Sequence, residues 1–361
     1  MKYLYSLFSC LILLASPAFA QTLDWEDYDP PSTLVVPENP VTRAKFPFVD
    51  IHSHQYRMGP SDLDRLAGQM DEMNMAIMVN LSGRGGERLK EMAGDIRDGH
   101  PNRFVLFTNL DWNNVDVPGW QERTVQQLVT DFKNGAKGLK VFKGLGLSNK
   151  DSKGNRVAVD DPRLDPVWAK CGELGIPVLI HSADPQPFWE PHDNQNERWL
   201  ELKTHSRRKR GDDNPAPWEQ IIGEQHNMFK KHPNTQFVAA HLGWLGNDLG
   251  RLGRTMDEIP NMNVGIAAVI AELGRQPRMA KRFFEKYQDR ILFGKDSYQV
   301  HEFPTYFRVL ESDDEYFPYY KRYHAFWRMY GLDLSDEVLK KVYYKNALRL
   351  IPGLDASLFP E

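Results

Sequence analysis

The sequence predicts a (β/α)8 barrel of the TIM type, and three observations point to it. From Phe46 onward, eight short apolar runs alternate with amphipathic stretches, the pattern of parallel strands joined by helices. Four of those runs end in histidine or aspartate. The two longest connections both follow the C-terminal ends of runs, the barrel face where sites are built. A doubly wound open sheet is the alternative. It wants a glycine fingerprint after its first strand, where His52-Ser53-His54 stands instead, and Gly83-Arg84-Gly85-Gly86 lacks the GxGxxG spacing.

In chain order the strand candidates are Phe48–His52, Ala76–Asn80, Phe104–Asn109, Gly138–Phe142, Ile176–His181, Gln236–His241, Asn263–Ala267 and Ile291–Gly294. The helical candidates between them are Ser61–Glu72, Gly86–Asp98, Thr124–Lys133, Asp165–Leu174, Trp218–Lys231, Leu245–Asp257 and Pro277–Tyr287. Ser61 reads as a helix N-cap, and Asp161-Pro162 as a helix or turn opening. Residues 182–217 and 297–334 are long and aromatic. They are expected to wall the site, and the second could equally pack an extra helix on the barrel.

Outside the barrel (46–353), residues 21–45 read as a proline-rich acidic arm and 354–361 as a tail. Residues 1–20 read as a cleaved secretory signal. Lys2 precedes an apolar run from Leu4 to Leu14, and Ala18-Phe19-Ala20 is a small-x-small cleavage pattern. The run is too short to span a bilayer. Cleavage would leave Cys171 as the one cysteine, so stability is expected from core burial without a disulfide. An exported, periplasmic or secreted protein follows, with no membrane attachment after cleavage. The net charge of -4 argues against nucleic acid as a partner. A small molecule is the expected partner, and a homo-oligomer is compatible with the sequence.

The chemistry lies in what the strands end on. The first ends in His52-Ser53-His54, whose alternation sends both imidazoles to one face. The fifth ends in His181, the sixth in His241-Leu242-Gly243 and the eighth in Asp296. Five such groups at one level of a barrel read as a divalent-metal site.

These residues resemble the amidohydrolase-related branch of the amidohydrolase superfamily, which includes aminocarboxymuconate-semialdehyde decarboxylase and several lactonases. The likeness runs from about Phe46 to Gly353. It comprises Asp50-x-His52-x-His54, His181, His241-Leu242-Gly243, Phe293-Gly294-x-Asp296 and the closing Tyr344-Lys345-Asn346-Ala347-x-Arg349-Leu350. The resemblance implies that His52, His54, His181 and Asp296 hold one divalent metal, most often zinc, with catalytic His241 beside it. A zinc-activated water would be the nucleophile, with Asp296 taking its proton and His241 polarising the carbonyl or protonating the leaving group. Asp50 would hold a histidine tautomer from behind or make a structural hydrogen bond. Lys140 stands where binuclear relatives carry a carboxylated lysine, so it is a second-metal candidate. Lys295 replaces the small residue usual in the family; alternation points it outward, toward solvent or an acidic substrate. Lys143 and Arg57 could contact a substrate carboxylate or sit in surface salt bridges. The expected function is hydrolysis of a small ester, lactone or amide; the alternatives are a metal-dependent decarboxylase and a non-catalytic binding barrel.

Overall fold

A computed structural model describes Asp24 and residues 27–360 of the chain. The expected signal segment lies outside the described residues. The described residues before Val35 belong to one unit, and residues 35–360 to a second. In the second unit eight strands lie in sequence order: β1 (Phe48–Ser53), β2 (Met75–Asn80), β3 (Phe104–Asn109), β4 (Gly138–Val141), β5 (Val178–Ile180), β6 (Phe237–Ala239), β7 (Met262–Gly265) and β8 (Ile291–Leu292). Every neighbouring pair is parallel. The seam between β8 and β1 is joined by backbone hydrogen bonds from Ile51 N to Phe293 O (3.1 Å) and from Asp296 N to His52 O (2.7 Å). This is the (β/α)8 barrel.

Strand residues are buried on both faces, as an all-parallel sheet covered by helices requires. Helices fall where the periodicity places them: Pro60–Met73, Gly86–Gly99, Trp120–Lys133, Asp165–Leu174, Trp218–Lys231, Leu249–Glu258 and Pro277–Tyr287. Two local expectations need correcting. The first helix is capped by Gly59 and not Ser61, because Pro60, with its preset φ and no N–H, occupies the first helical turn. The sixth strand stops at Ala239, short of His241, because the chain there enters a left-handed turn. Asp161 does open a turn, its side chain accepting from Arg163 N.

The closing segment explains its own motif. Asn346 Nδ2 donates to Gln288 O (2.7 Å) and Ile291 O (2.8 Å), which holds the entry to β8. A π turn over Lys341–Lys345 accompanies a hydrogen bond from Phe293 N to Val342 O (3.0 Å). Beneath it Phe48, Phe293, Phe307 and Tyr343 form an aromatic cluster with centroids 4.8–6.5 Å apart. Each such buried ring contributes about 2 kcal/mol from burial alone. Strand register then sets the level of the site. Val141 pairs with Ile180, and Ile180 with Ala239, so His181 and His241 emerge one and two residues beyond matched positions.

Candidate active site

One half of the site is built at the β8–β1 seam. His52 is buried at the end of β1, while His54, just past it, is partly open. Asp296 adopts a left-handed backbone (φ 80°), and its Oδ1 lies 3.7 Å from His52 Nε2 and 3.4 Å from His54 Nε2. Gly294 makes the approach feasible, since a Cβ there would stand 2.8 Å from His52 Cβ. The three donor atoms lie within 4.8 Å of one another. Donors on a tetrahedral ion with bonds of ~2.1 Å stand about 3.4 Å apart, so the spacing fits a first-row divalent metal.

Protonation suits the same purpose. Burial, then the Lys140 ammonium, pushes His52 well below the usual imidazole range, leaving the neutral form that a metal takes. Burial opposes ionisation of Asp296, but the His54 hydrogen bond and the neighbouring imidazoles outweigh it and hold the carboxyl well below its ordinary value. Asp50 does not touch an imidazole. Its Oδ1 accepts from the backbone N–H of His52 (2.9 Å) and of Lys295 (3.2 Å), which ties the two strand ends together from below. Its Oδ2 is buried without a partner, and burial raises its pKa to about 6. Lys140 lies behind His52, Nζ to Nε2 3.4 Å, and burial pulls its pKa down to about 7.

The other half stands on β5, β6 and β7. His241, Leu242, Gly243 and Trp244 carry φ of 57°, 54°, 60° and 58°, a left-handed turn that costs about 1–2 kcal/mol at each non-glycine residue. Strain of this kind clusters at functional sites. His241 Nδ1 lies 2.7 Å from Ala267 O, so that nitrogen carries the proton and Nε2 is an acceptor. Nε2 lies 3.1 Å from His181 Nδ1, which therefore donates, leaving His181 Nε2 a buried lone pair without a partner. Burial holds His241 down at about 4, and keeps His181 well below the usual range. Of the four expected ligands, then, three converge tightly and His181 is joined to His241 instead.

The sequence matches the amidohydrolase family model over residues 38–353. This chain belongs to the amidohydrolase family. Comparison with curated proteins gives no match. Among solved structures it is similar to a dihydroxybenzoic acid decarboxylase from a Polaromonas species, with bound manganese and the inhibitor 2-nitroresorcinol: 14% identity, 86% of this chain, 98% of that one, TM-score 0.55. It is also similar to 4-oxalomesaconate hydratase from Rhodopseudomonas palustris (15% identity, 86% and 97% covered, TM-score 0.51). A 2,6-dihydroxybenzoate decarboxylase in complex with 2,6-dihydroxybenzoate gives 15% identity, 80% and 87% coverage and a TM-score of 0.52. At these identities the likeness establishes the fold. Members of the superfamily are metal-dependent enzymes, and the His52–His54–Asp296 cluster is where this amidohydrolase can hold its ion.

The two long connections roof a cavity of about 160 Å³ beside that cluster, lined by His181, His241, Trp244 and Asp296 among others. Trp244 stacks on His241 with ring centroids 4.6 Å apart. From the connection after β5 come Asp184, Phe188, Arg198, Glu201 and Arg208; from that after β8 come Lys321, Tyr323 and His324. Lys143 also lines the cavity and pairs with Asp184 at 2.7 Å, whereas Arg57 is exposed and outside the lining. The second connection plays both expected roles. Its helix Phe303–Glu311 packs on the barrel through Phe303 and Phe307, while Lys321, Tyr323 and His324 face the cavity.

Lys295 is a correction. It is 1% exposed, paired with Glu302 and hydrogen-bonded to Ser297 O (3.1 Å) among the rings of Phe303, Tyr306 and Tyr320. The helix folding back from Phe303 covers the strand end, so alternation alone gives the wrong surroundings. Sequence reasoning missed Asp184, Trp244 and the Arg198–Glu201 pair. Asp184 and Trp244 each follow a singled-out histidine by three residues, which was the available signal.

Proposed function

We propose that this amidohydrolase is a zinc-dependent hydrolase that opens an ester, lactone or amide bond of a small molecule outside the cytoplasm. The observation that carries the reading is the supply of proton acceptors. Asp296 is ionised, partly exposed and faces the cavity, while His241 has its one proton committed to Ala267. Hydrolysis starts by taking a proton from water, and both groups can take one. Decarboxylation ends by delivering a proton to carbon, and neither has one to give.

A bound divalent ion supplies Lewis acidity, polarising a carbonyl oxygen and making water a better acid. Around it, this chain's residues do the rest. Asp296 turns Oδ1 to the imidazoles, which leaves Oδ2 to accept a proton from the attacking water. His241, held by Ala267 and His181 and stacked on Trp244, keeps one orientation and can relay to the leaving group the proton that hydrolysis first takes from water. Phe188 and Trp244 line the cavity beside it and exclude bulk water.

The test is a panel of lactones, esters and amides given to zinc-reconstituted protein, with CO2 release from aromatic acids followed in parallel. Hydrolysis without CO2 is the expected result; CO2 without hydrolysis would replace the reading with a decarboxylase. Less than one equivalent of zinc after reconstitution would favour a binding barrel. Export rests on residues 1–20 and predicts a mature N-terminus at Gln21, which sequencing of the protein from the periplasm or medium would check.

A further inference from the structure

We infer that Lys321 makes the cavity selective for small anionic substrates, by offering the substrate an ammonium that has no carboxylate of its own. The inference rests on the hydrolase reading for its reaction, but its binding claim stands separately. Four cations line the cavity: Lys143, Arg198, Arg208 and Lys321. Apart from Asp296, they share it with two carboxylates, Asp184 and Glu201.

Both of those carboxylates are fully committed. Asp184 takes Lys143 on Oδ1 and Arg210 on Oδ2, each at 2.7 Å. Glu201 takes Arg208 on Oε1 and Arg198 on Oε2. Arg198 Nη2 goes to Glu272. Partners beyond the wall add one cation, Arg210, and one carboxylate, Glu272, so the excess of positive charge persists. Lys321 has no carboxylate partner among the described residues; its Nζ lies 5.7 Å from the Tyr320 ring centroid. His324 beside it adds no negative charge and feels the same field. Burial, then Arg198 and Lys321, drives it down to about 2. An anion is the group that such a wall lacks.

Size narrows the class. A void of roughly 150 Å³ accommodates benzene, so a cavity of about 160 Å³ takes one ring or a short chain with its charged group. Phe188, Trp244 and Tyr323 supply the apolar faces.

The probes are benzoate and isophthalate, titrated calorimetrically into zinc-loaded protein. Benzoate has one carboxylate for the metal; isophthalate has a second for Lys321. Wild type is expected to bind isophthalate at least tenfold tighter. Lys321→Gln should reduce that ratio to below threefold, Lys321→Arg should restore it, and Lys321→Glu should invert it, with zinc content and melting temperature unchanged. Equal binding of the two probes by wild type, or a ratio that survives Lys321→Gln, would mean that Lys321 is an ordinary solvated lysine and would overturn the inference. A blank hydrolysis panel alongside a Lys321-dependent ratio would sink only the hydrolase reading. Turnover of neutral lactones with no Lys321-dependent ratio would sink only this one.

Discussion

His52, His54 and Asp296 sit on backbone tied across the β8–β1 seam, with Asp50 gathering two N–H groups beneath them. His241 sits instead on four consecutive residues of positive φ, its ring fixed by Ala267, His181 and Trp244. The first arrangement suits donors that must hold an ion at set distances. The second bends the chain so that an imidazole enters the cavity beside the ion's place instead of continuing the strand. On the proposed reading, metal retention falls to the seam and turnover to the turn.

The largest effect that tests this division is Asp296→Asn. It should lower kcat/KM by at least about a thousandfold and release most of the metal, because both the donor charge and the proton acceptor go. His241→Ala should keep nearly one equivalent of metal, read by elemental analysis, while kcat falls by about 10²–10⁴. Metal loss on a par with Asp296→Asn would erase the distinction. His181→Ala sharpens it: activity should vanish with more than half the metal retained, since the structure joins His181 to His241. Complete metal loss would move His181 to the donor side.

The pH dependence of metal-free stability has a definite sign. His241 and His226, each held at about 4, and His324, at about 2, bind protons more readily when unfolded. The stability they contribute is full above about 6.5 and is lost as pH falls from there toward 4. Asp50, raised to about 6, acts oppositely, adding stability as pH falls from 6 to 3.8. Three histidines outweigh one carboxylate, so denaturant midpoints should drop between pH 7 and 5, by on the order of 2 kcal/mol or more in free energy. A flat profile would contradict the buried neutral assignments. The smallest effect is Gly243→Ala. Its Cβ would meet only ordinary contacts, so the cost should be the left-handed strain, about 1 kcal/mol by chemical denaturation.

Much of this was legible in the sequence because periodicity and strand ends are local properties. All eight strands fall within their expected runs or overlap them, and the five metal-type side chains reach one rim. Lys295 was misread because its neighbours arrive from Phe303–Glu311 and Tyr320, a fold-back that no alternation rule encodes. The handedness of the chain at His241 was equally hidden. Leu242 and Trp244 are poor candidates for positive φ, and only the surrounding packing imposes it. The His181–His241 hydrogen bond depends on that turn, so the sequence offered His181 as a ligand with nothing to show its other partner.

Arg198 joins Glu201 on its own connection to Glu272, and its guanidinium lies 4.8 Å from the ring centroid of Trp327, which Arg275 approaches at 3.9 Å. His324 closes the knot through Arg198 Nη1 at 3.1 Å. The segments after β5 and β8 are thus fastened to each other before they meet any guest. Swinging the segment after β5 aside would part buried Arg198 from Glu272, whereas moving the segment after β8 would cost only its His324 and Trp327 contacts. Arg198 is thus the residue through which a change in either segment would be felt by the other.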